Sequence, residues 1–124
     1  MAYRTFVEPV RAGAFLRSQG PGDISRDNAV LASGAGACPT GTVLGRVMAT
    51  GKYVPLDPAA ATGAEVASAI LFRDVDATSS DVPCGVVARL AEVKADLLVW
   101  PAGISPEDKA AAIGQLAVNF IILR

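Results

Sequence analysis

Few side chains in this sequence could carry out acid–base or nucleophilic chemistry. The chain has 124 residues and no histidine, so it lacks the commonest general base and the commonest metal ligand. A Ser–His–Asp or Cys–His arrangement is therefore excluded. Asp74 and Asp76 form the closest carboxylate pair and would share one side of a strand. We interpret them as a solvated strand end, and an enzyme that uses only Asp74, Asp76 and Glu92 is the least favoured hypothesis.

The glycine-rich stretch SGAGACPTG, residues 33–41, resembles a phosphate-binding loop only loosely. A P-loop needs a lysine and then a serine or threonine after its last glycine, because these side chains contact phosphate and metal. Here Gly41 is followed by Thr42 and Val43, so we predict no nucleotide site. Cys38 and Cys84 lack a CxxC pattern, which argues against a zinc site. They are either free thiols, the interpretation we favour, or a disulfide.

Composition and charge exclude several classes of partner. The formal net charge is −1, and lysine and arginine are scattered rather than clustered, which argues against a nucleic-acid footprint. No apolar run reaches the length of a signal peptide or a membrane span. We expect a soluble protein made in a cytoplasm, with no cofactor, metal, nucleic acid or membrane as partner. Hydrophobic residues make up 52% of the chain, which suits one globular domain.

The chain divides into an arm and a body. Residues 1–23 contain several glycines and prolines and only short apolar bursts, so we predict a flexible N-terminal arm there. Residues 24–124 form the predicted β-rich domain.

Two strand signals stand out within the body. Thr42–Met48 and Lys52–Leu56 are predicted to pair as a hairpin whose turn lies at residues 50–51. Gly45 would mark a bulge or a close packing contact. The apolar run over residues 66–72 predicts a strand that is buried on both faces.

The C-terminal third contains the clearest helix signal. Ser105 is a good N-cap, Pro106 a good first helical residue, and acidic residues follow in the first turn. Residues 86–98 fit either a strand or a helix. The terminal FIILR, residues 120–124, is either a buried strand or a segment that docks on a neighbouring subunit.

The order of these segments resembles the head decoration protein family of lambda-like tailed bacteriophages. The resemblance covers about residues 24–124, and most of its weight lies in GKYVPLDP and LVWP. The segments that carry it are SRDNAVLASGAG, GTVLGRV, TGKYVPLDPAAATGAEVASAIL, VVARLAEVKADLLVWP and NFIILR.

The resemblance implies a structural protein rather than an enzyme. It implies a mainly β fold of the β-clip type with one short C-terminal helix. It also implies a homotrimer that binds local three-fold axes of the expanded head on the outer surface of the virion. There the trimer would bind the major capsid protein and stabilise the shell against the pressure of packaged DNA. An alternative is a trimeric display or ligand-binding module on a virion, with Tyr53 and Trp100 as its aromatic candidates.

The arm and the large apolar side chains supply the candidate contact residues. In the family the N-terminal arm adds a strand to a capsid sheet, and here the strand-forming stretch Thr5, Phe6, Val7, Glu8 and Pro9 is the candidate for that contact. This arm is more apolar and more basic than the polar arms common in the family, so its contacts are expected to differ. For the trimer interface we expect Trp100, Phe120 and Ile121.

Overall fold

The computed structural model describes residues 10–124, and this part of the chain is mainly β with one α-helix near the C-terminus. The predicted fold class is confirmed in these terms. In chain order the elements are β1 (Leu16–Gln19), β2 (Arg26–Leu31), β3 (Gly36–Cys38), β4 (Val43–Arg46), β5 (Tyr53–Pro55), β6 (Ala67–Leu71), β7 (Val75–Ala77), β8 (Val82–Val87), β9 (Ala91–Val93), a 3-10 turn (Ala95–Leu97), α1 (Pro106–Val118) and β10 (Ile121–Leu123).

A closed barrel of five strands forms the centre of the fold. The strands follow each other in the order β2-β5-β4-β6-β8, and β8 returns to pair with β2. The predicted hairpin is confirmed, because β4 and β5 pair antiparallel with Leu44 opposite Pro55. The predicted buried strand is confirmed as β6, in which only Ser68 is not fully buried. Closure leaves these five strands without a free edge.

Gly45 lies at an irregular point of the barrel. The register between β4 and β6 shifts between Leu44 and Gly45. A Cβ on Gly45 would lie 2.4 Å from the carbonyl oxygen of Ala64 and 2.7 Å from its Cα. Both expectations for Gly45, a bulge and a close packing contact, are therefore confirmed.

A second sheet joins the two ends of the described chain. It has the order β1-β9-β10, in which β1 is antiparallel to β9 and β10 is parallel to it. Leu16 lies opposite Val93, and Leu123 lies opposite Val93 from the other side. The three residues of β9 thus hold a strand from the N-terminal part and a strand from the C-terminal end.

Part of this sheet lies within residues 1–23, for which composition predicts an arm. Phe15 is 1% exposed and packs in a cluster with Val93, Leu116 and Ile121. The main-chain N–H of Lys94 donates a hydrogen bond of 2.7 Å to the carbonyl of Phe15. The segment from Phe15 to Gln19 therefore belongs to the folded body, and a separate arm can extend only over the residues before it.

The stretch over residues 86–98, which the sequence left open, is not an α-helix. It contains the end of β8, then β9, then the short 3-10 turn. Between the two strands Leu90 has a left-handed backbone with φ of 52°. That conformation is uncommon for a residue with a Cβ, and it separates β8 in the barrel from β9 in the second sheet.

Helix α1 begins as the sequence predicts. The Ser105 side chain accepts a hydrogen bond of 3.1 Å from the N–H of Asp108, and Pro106 is the first helical residue. Ala112 and Leu116 are the buried residues of the helix, and they pack in the same cluster as Phe15. After the helix, Ile121–Leu123 form β10, so FIILR contains a strand of this chain's own sheet, in which Ile121 is buried and the next two residues are half-buried.

Replacing Phe15 by alanine should destabilise the body by about 3–5 kcal/mol, because a fully buried aromatic side chain leaves a cavity. Denaturant unfolding at a fixed protein concentration measures the change. Val10, which is 57% exposed, provides the control, and Val10→Ala should change the unfolding free energy by less than about 0.5 kcal/mol. Equal stability of Phe15→Ala and the natural chain would show that the segment before residue 24 is not part of the core.

Candidate interaction surfaces

Asp74 and Asp76, which could have formed a catalytic pair, each accept hydrogen bonds from a nearby threonine instead. Asp74 accepts a hydrogen bond of 2.7 Å from the N–H of Thr40. Asp76 accepts one of 3.0 Å from the N–H of Thr78 and another from its hydroxyl. The bond from the Thr78 hydroxyl is the main reason that the pKa of Asp76 is lowered. A carboxyl group held in its ionised form is unsuited to act as a general acid.

Glu92 connects the three strands of the second sheet. It lies on β9 and accepts a hydrogen bond of 2.8 Å from Nε of Arg124, just after β10. It also accepts one of 3.1 Å from the hydroxyl of Ser18 on β1. The Arg124 bond, with Ser18 second, lowers the pKa of Glu92. We therefore assign Glu92 to holding the chain ends together and not to catalysis.

Both cysteines are free thiols, as the sequence analysis favoured. Cys38 is buried in the barrel cluster, and Cys84 packs at its edge. Burial raises the pKa of both thiols, which disfavours the reactive thiolate form. Within residues 10–124, moreover, no three His, Cys, Asp or Glu side chains are placed to hold a metal ion together.

The two aromatic side chains proposed for a display module do not form a common platform. Tyr53 is only 9% exposed and packs in the barrel cluster, with the Arg46 guanidinium 5.7 Å from its ring centre. Trp100 packs against the other hydrophobic cluster, and the Lys109 ammonium lies 5.4 Å from its ring centre. Tyr53 is thus a core residue, which removes the observation that would have favoured ligand display.

An open groove of about 570 Å³ runs along the outer side of β2 and β8. The ring of Phe72 lines it, with the Arg26 guanidinium 3.5 Å from the ring centroid. Asp27, which also lines the groove, forms a two-point ion pair with Arg89 at 2.6 and 3.0 Å. The groove is thus a polar surface in which Arg26 contacts an aromatic ring and Asp27 is ion-paired.

A group of large apolar side chains is exposed where the second sheet meets the end of α1. Val118 is 76% exposed and Phe120 66%, whereas Leu90 and Ile24 are 40% and 48% exposed. The N–H of Leu90 bonds to the carbonyl of Asn119, and the N–H of Ala91 bonds to that of Phe120. We call Ile24, Leu90, Val118 and Phe120 the apolar patch. Isolated exposed apolar residues are common, but contiguous groups usually mark an interaction surface.

The backbone at this patch is unusual. Leu90 and Phe120 are the two non-glycine residues of the described chain that have positive φ, at 52° and 60°. Each immediately precedes a strand, β9 and β10 respectively. Large side chains rarely adopt this conformation. The hydrogen bonds between the two segments hold it in place and leave both side chains on the surface.

The predicted contact residues have different outcomes. Thr5, Phe6, Val7, Glu8 and Pro9 lie outside the described residues. Phe120 lies on the surface, and Trp100 is partly buried at the edge of a cluster. Ile121 is fully buried within its own chain. The left-handed backbone of Phe120 leaves its side chain on the surface just before β10 begins with buried Ile121, and an all-apolar segment does not reveal which of its residues is buried.

Taken together, these features define a class of protein that acts through its surfaces. The body is a closed barrel with a covering sheet and helix, and the polar side chains of chemical interest are engaged in local structure. Within residues 10–124 no helix is long and apolar enough to cross a membrane.

The comparison with protein families identifies the class more closely. The family model described as bacteriophage lambda head decoration protein D matches residues 5–121, and no curated protein matches the chain. The chain therefore belongs to the head decoration protein family, on a match that extends the resemblance from residue 24 to residue 5. This is a family of structural capsid proteins and not a class of enzymes. The protein is located on the capsid surface of the phage virion, in association with the capsid.

Acid should destabilise the fold through its ion-paired carboxylates. The hydrogen bond from Arg89 is the main reason that the pKa of Asp27 lies below its ordinary value near 3.8. A carboxyl group with a lowered pKa in the folded state adds stability above its unfolded pKa, and that stability is lost as the pH falls further. Unfolding free energy should therefore decrease below about pH 4.

Denaturant unfolding at pH 6 and pH 3 measures this effect. Asp27→Asn and Arg89→Met each remove the ion pair, so both variants should lose less stability between the two pH values than the natural chain. The two variants are matched controls for each other, since either one removes the same bond. An unchanged loss in both variants would show that this pair does not contribute to the acid sensitivity.

Proposed function

We propose that this protein decorates the expanded phage head as a homotrimer on local three-fold axes and stabilises the shell against the pressure of packaged DNA. The observation that carries the proposal is the family match over residues 5–121, which spans both the folded body and the candidate capsid-binding stretch. The major capsid protein is the proposed partner. The protein would be made in the host cytoplasm and would act on the outer surface of the capsid.

The architecture of the body suits a stabilising protein. A barrel without free strand edges has few ways to deform locally or to pair with unrelated chains. The second sheet ties both ends of the described chain to this barrel through β9. Force applied to the start of the body is therefore passed to a packed core that includes Phe15 and Leu116.

The proposed capsid contact lies at Thr5, Phe6, Val7, Glu8 and Pro9. These residues would add a strand to a sheet of the major capsid protein, in the mode in which main-chain bonds give affinity and alternate side chains give specificity. Fixing about eight residues costs on the order of 8–16 kcal/mol. About five strand hydrogen bonds contribute roughly 2.5–7.5 kcal/mol net, and burial of Phe6 and Val7 adds about 1.5–3 kcal/mol each.

These magnitudes nearly cancel, so a single arm would bind weakly. A trimer presents three arms on one body, and the second and third arms then bind at a high effective concentration. Avidity of this kind can exceed the affinity of one arm by about 10²–10⁴. The proposed trimer is thus required for tight decoration, and a folded monomer should fail to decorate heads.

Co-sedimentation with expanded, undecorated heads of the phage that encodes this protein tests the proposal. We expect the full chain to pellet at about one copy per major capsid protein subunit, as a trimer on each local three-fold axis requires. A chain that lacks residues 1–9 should lose most of this binding, by about 100-fold or more. The truncation stops at residue 9 because Phe15 and β1 belong to the core.

Phe6→Asp in the full chain provides an independent variant, because a charge at this position should oppose burial against the capsid. Thermal unfolding of both variants is the control, and it should match that of the natural chain. Failure of the full chain to pellet would contradict decoration. If both variants pelleted as much as the natural chain, the result would support decoration of the head but would contradict a capsid contact through residues 5–9.

A further inference from the structure

We infer that the apolar patch is the contact between protomers, with the patches of three copies meeting around the symmetry axis. The inference rests on the proposed homotrimer and gives it a location. The patch consists of Ile24, Leu90, Val118 and Phe120, and its occupant would be a second copy of this chain.

Contiguity makes the four residues one surface. A Cβ at Gly20 would lie 2.5 Å from Cγ2 of Ile24 and 3.7 Å from Cβ of Leu90, so both side chains approach the same glycine. Leu90 is in turn bonded through its N–H to Asn119, the residue between Val118 and Phe120. The patch therefore extends from the loop after β1, across the start of β9, to the end of α1.

The helix extends the surface without adding charge. Ala110, Ala111, Gly114 and Ala117 are exposed on α1 beside Val118. Residues 110–123 contain no charged side chain. The uncharged part of α1, from Ala110 to Val118, is about 13 Å long, because Glu107, Asp108 and Lys109 occupy the start of the helix. It adds to the four patch residues as part of an interface, and a standard interface buries about 800 Å² per partner.

The absence of charge favours a second copy over other occupants. A side chain on a three-fold axis meets its own copies, so a charge on the axis would meet a like charge, whereas away from the axis two different surfaces of neighbouring subunits meet. An uncharged, apolar surface satisfies this condition. Nucleic acid or an anionic lipid surface would instead require clustered lysine and arginine. The small side chains of α1 also allow the backbone of a neighbouring chain to come close.

Other exposed apolar residues provide a comparison. Met48 is 77% exposed, as much as Val118, but it lies between β4 and β5. The main-chain N–H of Met48 bonds to the carbonyl of Thr62, in the loop before β6. A substitution at Met48 therefore shows whether a charge at any exposed apolar position weakens association between subunits, or only a charge within the patch.

Sedimentation velocity over a wide concentration range tests the inference on the full chain. Val118→Glu would place three carboxylates at the axis, and Phe120→Asn would remove the ring while keeping a residue that tolerates the left-handed backbone. Each variant should weaken association by about 30-fold per subunit contact, the effect of losing a buried anchor. Met48→Glu should associate as the natural chain does.

The possible outcomes distinguish the location of the contact between protomers from the existence of the trimer. A trimeric natural chain with two weakened patch variants and an unchanged Met48→Glu supports the inference. A trimeric natural chain whose patch variants stay trimeric overturns the location but leaves the proposed trimer intact. Equal weakening by Met48→Glu also overturns it, since the effect would then be general. A monomeric natural chain overturns the trimer itself, whereas head binding tests decoration separately.

Phe120→Asn keeps the inference testable if Val118→Glu fails to fold. Asparagine adopts positive φ more readily than phenylalanine, so the thermal stability of the isolated subunit should not fall. If Val118→Glu unfolds, Phe120→Asn alone decides between the outcomes.

Discussion

Strand β9 holds the two ends of the folded chain together, and the other surfaces of the protein depend on this pairing. The strand has three residues, Ala91–Val93, with β1 on one side and β10 on the other. Phe15, just before β1, and Ile121, the first residue of β10, enter one core cluster with Val93. Glu92 adds the polar part of the same connection through Arg124 and Ser18. The start of the body and its C-terminus are thereby fixed relative to the barrel.

The same pairing explains the form of the apolar patch. Both β9 and β10 start immediately after a residue with a left-handed backbone, Leu90 and Phe120. The sharp change of direction lets each strand enter the sheet while the preceding side chain stays on the surface. Such conformations cost free energy and persist where surrounding bonds enforce them. An exposed apolar patch and a fixed start of the folded body thus arise from one small sheet.

Local signals in the sequence predicted the elements whose cause is local. The Ser105 cap and the hairpin of β4 and β5 depend on neighbouring residues or on a short turn. Strand β1 was missed because its stability comes from β9, and Ser18 bonds to a residue 74 positions away. The Asp27–Arg89 pair, 62 positions apart, has no local signal either. In the terminal FIILR every apolar residue looks alike, so only the observed register separates buried Ile121 from exposed Phe120.

A cryo-electron microscopy map of expanded heads saturated with the purified protein tests the central claim most directly. The account predicts a three-fold density on the capsid surface into which residues 11–124 fit as one rigid body. In that fit Val118 and Phe120 would face the axis, and density would continue from residue 10 onto the major capsid protein. Density for β1 separated from β9, or no density at the three-fold positions, would contradict the account.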